Sequence, residues 1–100
     1  MNNGLNIELG RLSGFCRRWK ARQLALFGSA LHTDFRPDSD VDFLISFQDD
    51  ARWDLADLAA MRDELSAMVG RPVDLVEEDA LQNPYRRREI LSHHEVLYAA

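Results

Sequence analysis

The sequence predicts a small α/β (α+β) domain in which a mixed β-sheet is flanked by helices. Three observations predict it. Helix-like and strand-like segments alternate along the chain, and the strand-like segments are short and apolar, as in buried strands. The chain has 100 residues, which suits one compact core. We therefore expect residues 1–100 to form a single domain.

The first half of the chain predicts helices and strands in alternation. A helix is expected over residues 5–20, because apolar side chains recur there on one helical face: Leu5, Leu9, Leu12, Cys16 and Trp19. Residues 24–27 form a continuous apolar run that stops at Gly28, which is typical of a buried strand followed by a turn. A short helix is expected over 29–32. A second strand, rich in β-branched and aromatic residues, is expected over 41–47.

A helix over about 53–69 is the best-marked element of the second half. One of its faces is apolar and carries Leu58, Met61, Leu65 and Met68. Asp49 or Asp50 is the expected N-cap, Gly70 occupies the expected left-handed position after the last turn, and Pro72 prevents continuation. These signals predict both ends of the helix.

Three shorter elements complete the prediction. Residues 72–76 predict a third strand. Asn83 and Pro84 suit the N-cap and first position of a last helix that runs to about Leu91. Residues 95–98 can add a small edge strand.

Composition excludes several classes of function. The net charge is −5, so the chain lacks the basic face that non-specific nucleic-acid binding requires, and a bound polyanion would need a bridging divalent cation. No apolar run approaches the roughly 18–20 residues that span a bilayer. The first residues lack the pattern of a signal peptide, and Cys16 has no second cysteine to pair with. We expect a cytoplasmic protein that binds neither membranes nor nucleic acids directly.

The most specific local pattern combines a glycine turn with paired acids. Gly28 allows a ligand to approach the backbone closely, and Ser29 adds a hydroxyl, which together suit a phosphate. Asp40 and Asp42 stand two residues apart at the start of the second strand, so their side chains project from one face. Because two such carboxylates repel each other, a divalent cation such as Mg²⁺ would resolve the conflict.

Topology adds Asp74 to this group. The second strand, the long helix and the third strand form a β-α-β unit, whose right-handed crossover makes the two strands parallel. Asp42 and Asp74 are each the second residue of their strand, so the carboxylates converge if the strands are neighbours. An antiparallel first strand would bring Gly28 and Ser29 to the same corner.

In order, these residues resemble a known family. The pattern is similar to that of the polymerase-β-type nucleotidyltransferases. It consists of a Gly-Ser pair, ten intervening residues, an Asp-x-Asp pair, an apolar strand and a later Asp in a short strand. The chain most resembles their minimal branch, the MNT antitoxins of HEPN/MNT toxin–antitoxin pairs. The motifs cover residues 24–76. The resemblance implies the nucleotidyltransferase fold.

The resemblance also implies a role for each residue. Gly28 and Ser29 would hold the β- and γ-phosphates of ATP, and Asp40 and Asp42 would bind two Mg²⁺ ions. Asp74 would share one ion and orient or deprotonate the attacking hydroxyl. The implied reaction is the transfer of AMP to a tyrosine of a partner HEPN toxin, with which the chain would form a hetero-oligomer.

Other interpretations remain open. Many relatives follow Gly-Ser with arginines and a glycine, whereas residues 30–33 here are Ala-Leu-His-Thr, which favours a non-catalytic antitoxin that neutralises its toxin by binding. Transfer of a nucleotide to an antibiotic or to RNA is a third possibility. An EF-hand reading of Asp38, Asp40 and Asp42 fails, because Phe43 stands where that loop requires glycine. Residues 86–88 are interpreted as a solvated helix face or a docking surface, and 93–94 as surface histidines.

Overall fold

A computed structural model of the chain describes residues 7–28 and 40–100. The elements follow one another as α1 (Leu9–Arg18), β1 (Ala21–Phe27), β2 (Val41–Phe47), α2 (Leu55–Val69), β3 (Val73–Glu77), a 3₁₀ helix (Glu78–Ala80), α3 (Pro84–Ser92) and β4 (His94–Ala99). The predicted mixed sheet flanked by helices is confirmed. The short helix expected over 29–32 lies outside the described residues. The helix expected over 5–20 is shorter than predicted, because Ile7 and Glu8 precede α1 and Trp19 and Lys20 form a turn after it.

The four described strands form one sheet in the order β3-β2-β1-β4. β1 is antiparallel to both β2 and β4, whereas β2 and β3 are parallel. The predicted β-α-β unit and its parallel strand pair are therefore confirmed. Since β1 runs against its neighbours, its end lies at the same edge of the sheet as the starts of the other three strands.

The two faces of the sheet bury separate sets of side chains. α1 and α2 pack on one face, where the buried set includes Phe15, Cys16, Phe43, Met61 and Leu65. α3 covers the other face, where Ile90 packs with Ala25, Phe27, Leu44 and Leu81. Leu44 and Val76 belong to this second set. Because side chains alternate along a strand, Asp42 and Asp74, each two positions earlier, lie on the same face, which α3 covers.

The starts of α2 and β1 also differ from the prediction. The N-cap of α2 is Asp54, and the expectation of Asp49 or Asp50 is wrong. Asp54 accepts a hydrogen bond from the backbone N–H of Asp57 at 2.9 Å, and the Asp57 carboxylate accepts one in return at 3.1 Å. This reciprocal capping box fixes the first turn. Asp50 instead lies in the turn after β2, where it accepts from Lys20 Nζ at 3.0 Å.

β1 begins three residues before the predicted apolar run. Ala21 is buried and pairs with Phe47, although the exposed Arg22 interrupts the apolar pattern. The predicted end of α2 is confirmed, since Gly70 adopts φ of 70°. No helix in the described parts of the chain has the length and apolar character needed to cross a membrane.

Cys16 is fully buried, and its environment predicts an unreactive thiol. Burial raises its pKa to about 12. Since the thiolate is the reactive form, we expect the native protein at pH 8 to react with an aromatic disulfide reagent about 10³-fold more slowly than an exposed cysteine. The same protein in denaturant should react completely within the dead time of a manual assay. Rapid labelling of the native protein would contradict the buried position.

Candidate functional site

The register of the strands assembles the site at one edge of the sheet. Asp42 lies directly opposite Asp74 in the parallel pair and opposite Phe27 in the antiparallel pair. The backbone N–H of Val41 donates to the carbonyl oxygen of Pro72 at 2.9 Å, which fixes this register where both strands begin. The geometry expected from the sequence for Asp42 and Asp74 is therefore present.

Gly28 follows β1 and lies against the side chain of Asp42. Its φ of 73° is a left-handed conformation that glycine adopts at little cost. A Cβ atom at this position would overlap Oδ2 of Asp42 and lie 3.2 Å from its Cγ. Only glycine fits this place without displacing the carboxylate. Ser29, the other half of the predicted phosphate-binding pair, lies outside the described residues.

The electrostatics of this edge centre on Asp42. It is half-buried, whereas Asp40 and Asp74 are exposed. Burial raises the pKa of Asp42, and the negative charges of Asp74 and Asp40 raise it further, while the positive charge of Arg86 lowers it. The fold therefore holds a partly desolvated carboxylate between two others, an arrangement in which a cation would lower the free energy.

The carboxylates at this edge of the sheet suit a divalent metal ion by the chemistry of their donor atoms. Within residues 7–28 and 40–100, no three His, Cys, Asp or Glu side chains form a ready-made metal cluster. Mg²⁺ commonly binds through one or two carboxylates and completes its shell with water and substrate phosphates. Asp42 and Asp74 on paired strands, with Asp40 beside them, supply oxygen donors of that kind.

Arg86 is a member of this site that sequence reasoning missed. The interpretation of residues 86–88 as a solvated helix face agrees with the exposure of Arg86 and Arg88, whereas Arg87 is half-buried. Arg86 acts electrostatically on Asp42, and the half-buried Arg87 donates to the carbonyl oxygen of Glu78 at 2.9 Å. Arg86 stands four residues before Ile90, on the same side of the helix, but this spacing becomes informative only once the structure shows that Ile90 is the buried residue of α3.

A pocket of about 770 Å³ opens between α3 and the end of β1. This size falls within the range of small-molecule sites. Its described lining is formed by Phe27, Gly28, Arg86, Glu89, Ile90, Ser92, His93 and His94. Interpretation of the two histidines as surface residues holds for His93, whereas His94 is half-buried with Nδ1 2.8 Å from the carbonyl oxygen of Leu91.

Comparisons with known proteins agree with this geometry. Residues 12–97 match the family model described as a nucleotidyltransferase domain. A protein of Methanocaldococcus jannaschii, named as a candidate protein adenylyltransferase, is 33% identical over 73 residues, which cover 73% of this chain and 72% of that protein.

Two solved structures have the same fold. A chain from the crystal structure of a toxin–antitoxin with AMP-PNP superimposes with a TM-score of 0.76 at 18% identity, covering 94% of this chain and 75% of that chain. A chain from the complex of a tri-AMPylated Shewanella oneidensis HEPN toxin with its MNT antitoxin gives 0.67 at 17% identity, covering 92% and 70%. At these identities the likeness establishes the fold.

Proposed function

Because the chain belongs to the nucleotidyltransferase domain family, we propose that it is a Mg²⁺-dependent protein adenylyltransferase that acts as an antitoxin. It transfers AMP from ATP to a hydroxyl group, a tyrosine of a partner HEPN toxin. The observation that carries the proposal is the pairing of Asp42 with Asp74 directly beside the Gly28 backbone. This arrangement suits a phosphate chain held between backbone and carboxylate-bound metal.

The site residues have different roles in an in-line displacement at the α-phosphate. Gly28 and Ser29 hold the phosphates, and Asp40, Asp42 and Asp74 hold Mg²⁺. Bound Mg²⁺ supplies charge neutralisation for the transferred group and the departing pyrophosphate. Asp74 is exposed at the start of β3, where an acceptor hydroxyl can reach it. It orients this hydroxyl and accepts its proton as the new phosphodiester bond forms.

Two of the similar proteins support a protein acceptor. The relative from M. jannaschii is named for transfer to protein, and the HEPN toxin in one structural match is tri-AMPylated. The acidity of the chain, with a net charge of −5, disfavours an RNA acceptor. The antitoxin role rests on the fold shared with the toxin–antitoxin structures.

The test follows the α-phosphate of ATP. Purified protein is incubated with Mg²⁺, host lysate and ATP labelled on its α-phosphate, beside Asp40→Ala/Asp42→Ala and the charge-matched control Asp49→Ala/Asp50→Ala. We expect label on one protein with the wild type and the control, and none with the site variant. A parallel reaction with γ-labelled ATP should transfer nothing. Equal labelling by the site variant would contradict the proposal.

A non-catalytic antitoxin is the second candidate. The sequence difference over residues 30–33, where arginines are usual in relatives, favours it. The Asp40→Ala/Asp42→Ala variant separates the two functions. If the antitoxin acts by covering its toxin, this variant still protects cells that express the toxin. If the variant still co-purifies with the toxin but no longer protects, only the enzymatic function remains.

A further inference from the structure

The position of α3 gives Arg86 a part in the site. Asp42 lies on the sheet face that α3 covers, because Leu44, two residues along β2, packs with Ile90. Arg86 precedes Ile90 by one helical turn, so the two side chains lie on the same side of α3, and both line the pocket that also contains Gly28.

The pocket beside Gly28 supplies a second, geometric observation. Gly28 lines one part of it and Arg86 another. A ligand that enters this pocket therefore meets the backbone of Gly28 at the end of β1 and the guanidinium group of Arg86 from α3. Asp42 does not itself line the pocket, but its carboxylate lies beside Gly28, which does.

The charge of a nucleotide explains what this arginine can do. A triphosphate brings several negative charges toward three aspartates, in a chain whose net charge is −5. Metal ions held by the carboxylates would compensate part of this charge, and a guanidinium group that contacts the phosphates would lower the remaining repulsion. A guanidinium group can donate two parallel hydrogen bonds to phosphate oxygens, which adds orientation to charge.

We propose that Arg86 binds the polyphosphate of the incoming nucleotide, from across the pocket that it shares with Gly28. This inference rests on the proposed function and adds a binding residue to it. Arg86 thereby supplies a positive charge that the residues directly after Ser29 do not, since positions 30–33 hold no arginine. It contributes to binding of the triphosphate more than to binding of the nucleoside.

The test measures binding of α,β-methylene ATP, which cannot transfer AMP, in the presence of Mg²⁺. The variants are Arg86→Gln, Arg86→Lys and the matched control Arg88→Gln, which removes the charge of another exposed arginine of α3 that does not line the pocket. We expect Arg86→Gln to weaken binding roughly 10- to 100-fold, and Arg86→Lys to restore part of it. Arg88→Gln should bind like the wild type.

AMP serves as the second probe, since it keeps the nucleoside and lacks the β- and γ-phosphates. Arg86→Gln should change the affinity for AMP far less than the affinity for α,β-methylene ATP. Its thermal unfolding midpoint should match that of Arg88→Gln, which excludes a folding defect. Equal losses for both probes would place the contact at the nucleoside or in the fold and would overturn the inference.

These experiments distinguish a failure of the Arg86 assignment from a failure of the proposed function. If Asp40→Ala/Asp42→Ala abolishes transfer while Arg86→Gln binds and reacts like Arg88→Gln, only the assignment of Arg86 fails. If the wild-type protein neither binds α,β-methylene ATP nor transfers AMP, the proposed function fails and the assignment of Arg86 fails with it. Where both hold, Arg86→Gln raises KM for ATP more than it lowers kcat.

Discussion

Replacing Asp42 with asparagine is expected to lower AMP transfer by roughly 10²- to 10⁴-fold, the several kcal/mol that metal-ion catalysis supplies. The same substitution should raise the stability of the metal-free protein. Asp42 is half-buried, directly opposite Asp74, and close enough to Asp40 for their charges to interact. An asparagine keeps the shape of this side chain, removes the charge and replaces one acceptor oxygen with an NH₂ donor.

The sign of the stability change follows from the pKa of Asp42. Burial, Asp74 and Asp40 raise it in the folded state, so the fold binds the proton more tightly than the unfolded chain does. The ionised carboxylate therefore costs stability once the pH rises above the ordinary aspartate pKa of about 3.9. Asparagine removes this cost, so the gain should be present at neutral pH and should vanish as the pH falls below that value.

Thermal unfolding of both proteins in a metal chelator measures this gain. Repulsion between like charges on directly opposite residues of paired strands lowers the free energy of unfolding by about 0.2–1 kcal/mol. Each kcal/mol shifts the midpoint by about 4–8 °C for a domain of this size. The matched control is Asp49→Asn, which removes an exposed charge outside the site. Addition of Mg²⁺ and α,β-methylene ATP should stabilise the wild type more than Asp42→Asn. A variant that is less stable at every pH would show that Asp42 is mainly structural.

The central geometry of the site was predictable because it depends on strand order alone. Counting from the start of each strand makes Asp42 and Asp74 equivalent positions, and a right-handed crossover makes their strands parallel. The observed register pairs these two residues, and β1 ends opposite Asp42. The left-handed end of α2 at Gly70 was equally predictable, because the local sequence, a glycine and a following proline, specifies it.

What the sequence could not reveal depends on the packing of α3. Only Ile90 of this helix is buried, so it has no apolar stripe to show which side faces the sheet. The functions of three consecutive arginines therefore could not be separated. The N-cap at Asp54 was missed for a related reason, because aspartates at positions 49, 50 and 54 compete as caps and tertiary contacts decide among them. The roles of Gly28, Ser29, Asp40, Asp42 and Asp74 in nucleotide and metal binding remain proposals.

Replacing Gly28 with alanine is expected to reduce both stability and AMP transfer. An L-residue in the left-handed region costs about 1–2 kcal/mol, and here the new Cβ also overlaps Oδ2 of Asp42. Either the end of β1 or the Asp42 carboxylate must move. Since a displacement of about 1 Å in a catalytic group can cost about 10²-fold in rate, we expect a loss of that order.

Gly70 provides a control that separates backbone strain from the contact with Asp42. Its φ of 70° nearly equals the 73° of Gly28, yet nothing lies within 4 Å of the position that its Cβ would occupy. Gly70→Ala should therefore cost about 1–2 kcal/mol of unfolding free energy and leave transfer almost unchanged. Denaturant unfolding and the α-labelled ATP assay measure the two effects. If both alanine variants keep full transfer, the close approach of Gly28 to Asp42 has no catalytic role. If only Gly28→Ala loses transfer, the need for glycine at the end of β1 comes from the carboxylate it faces.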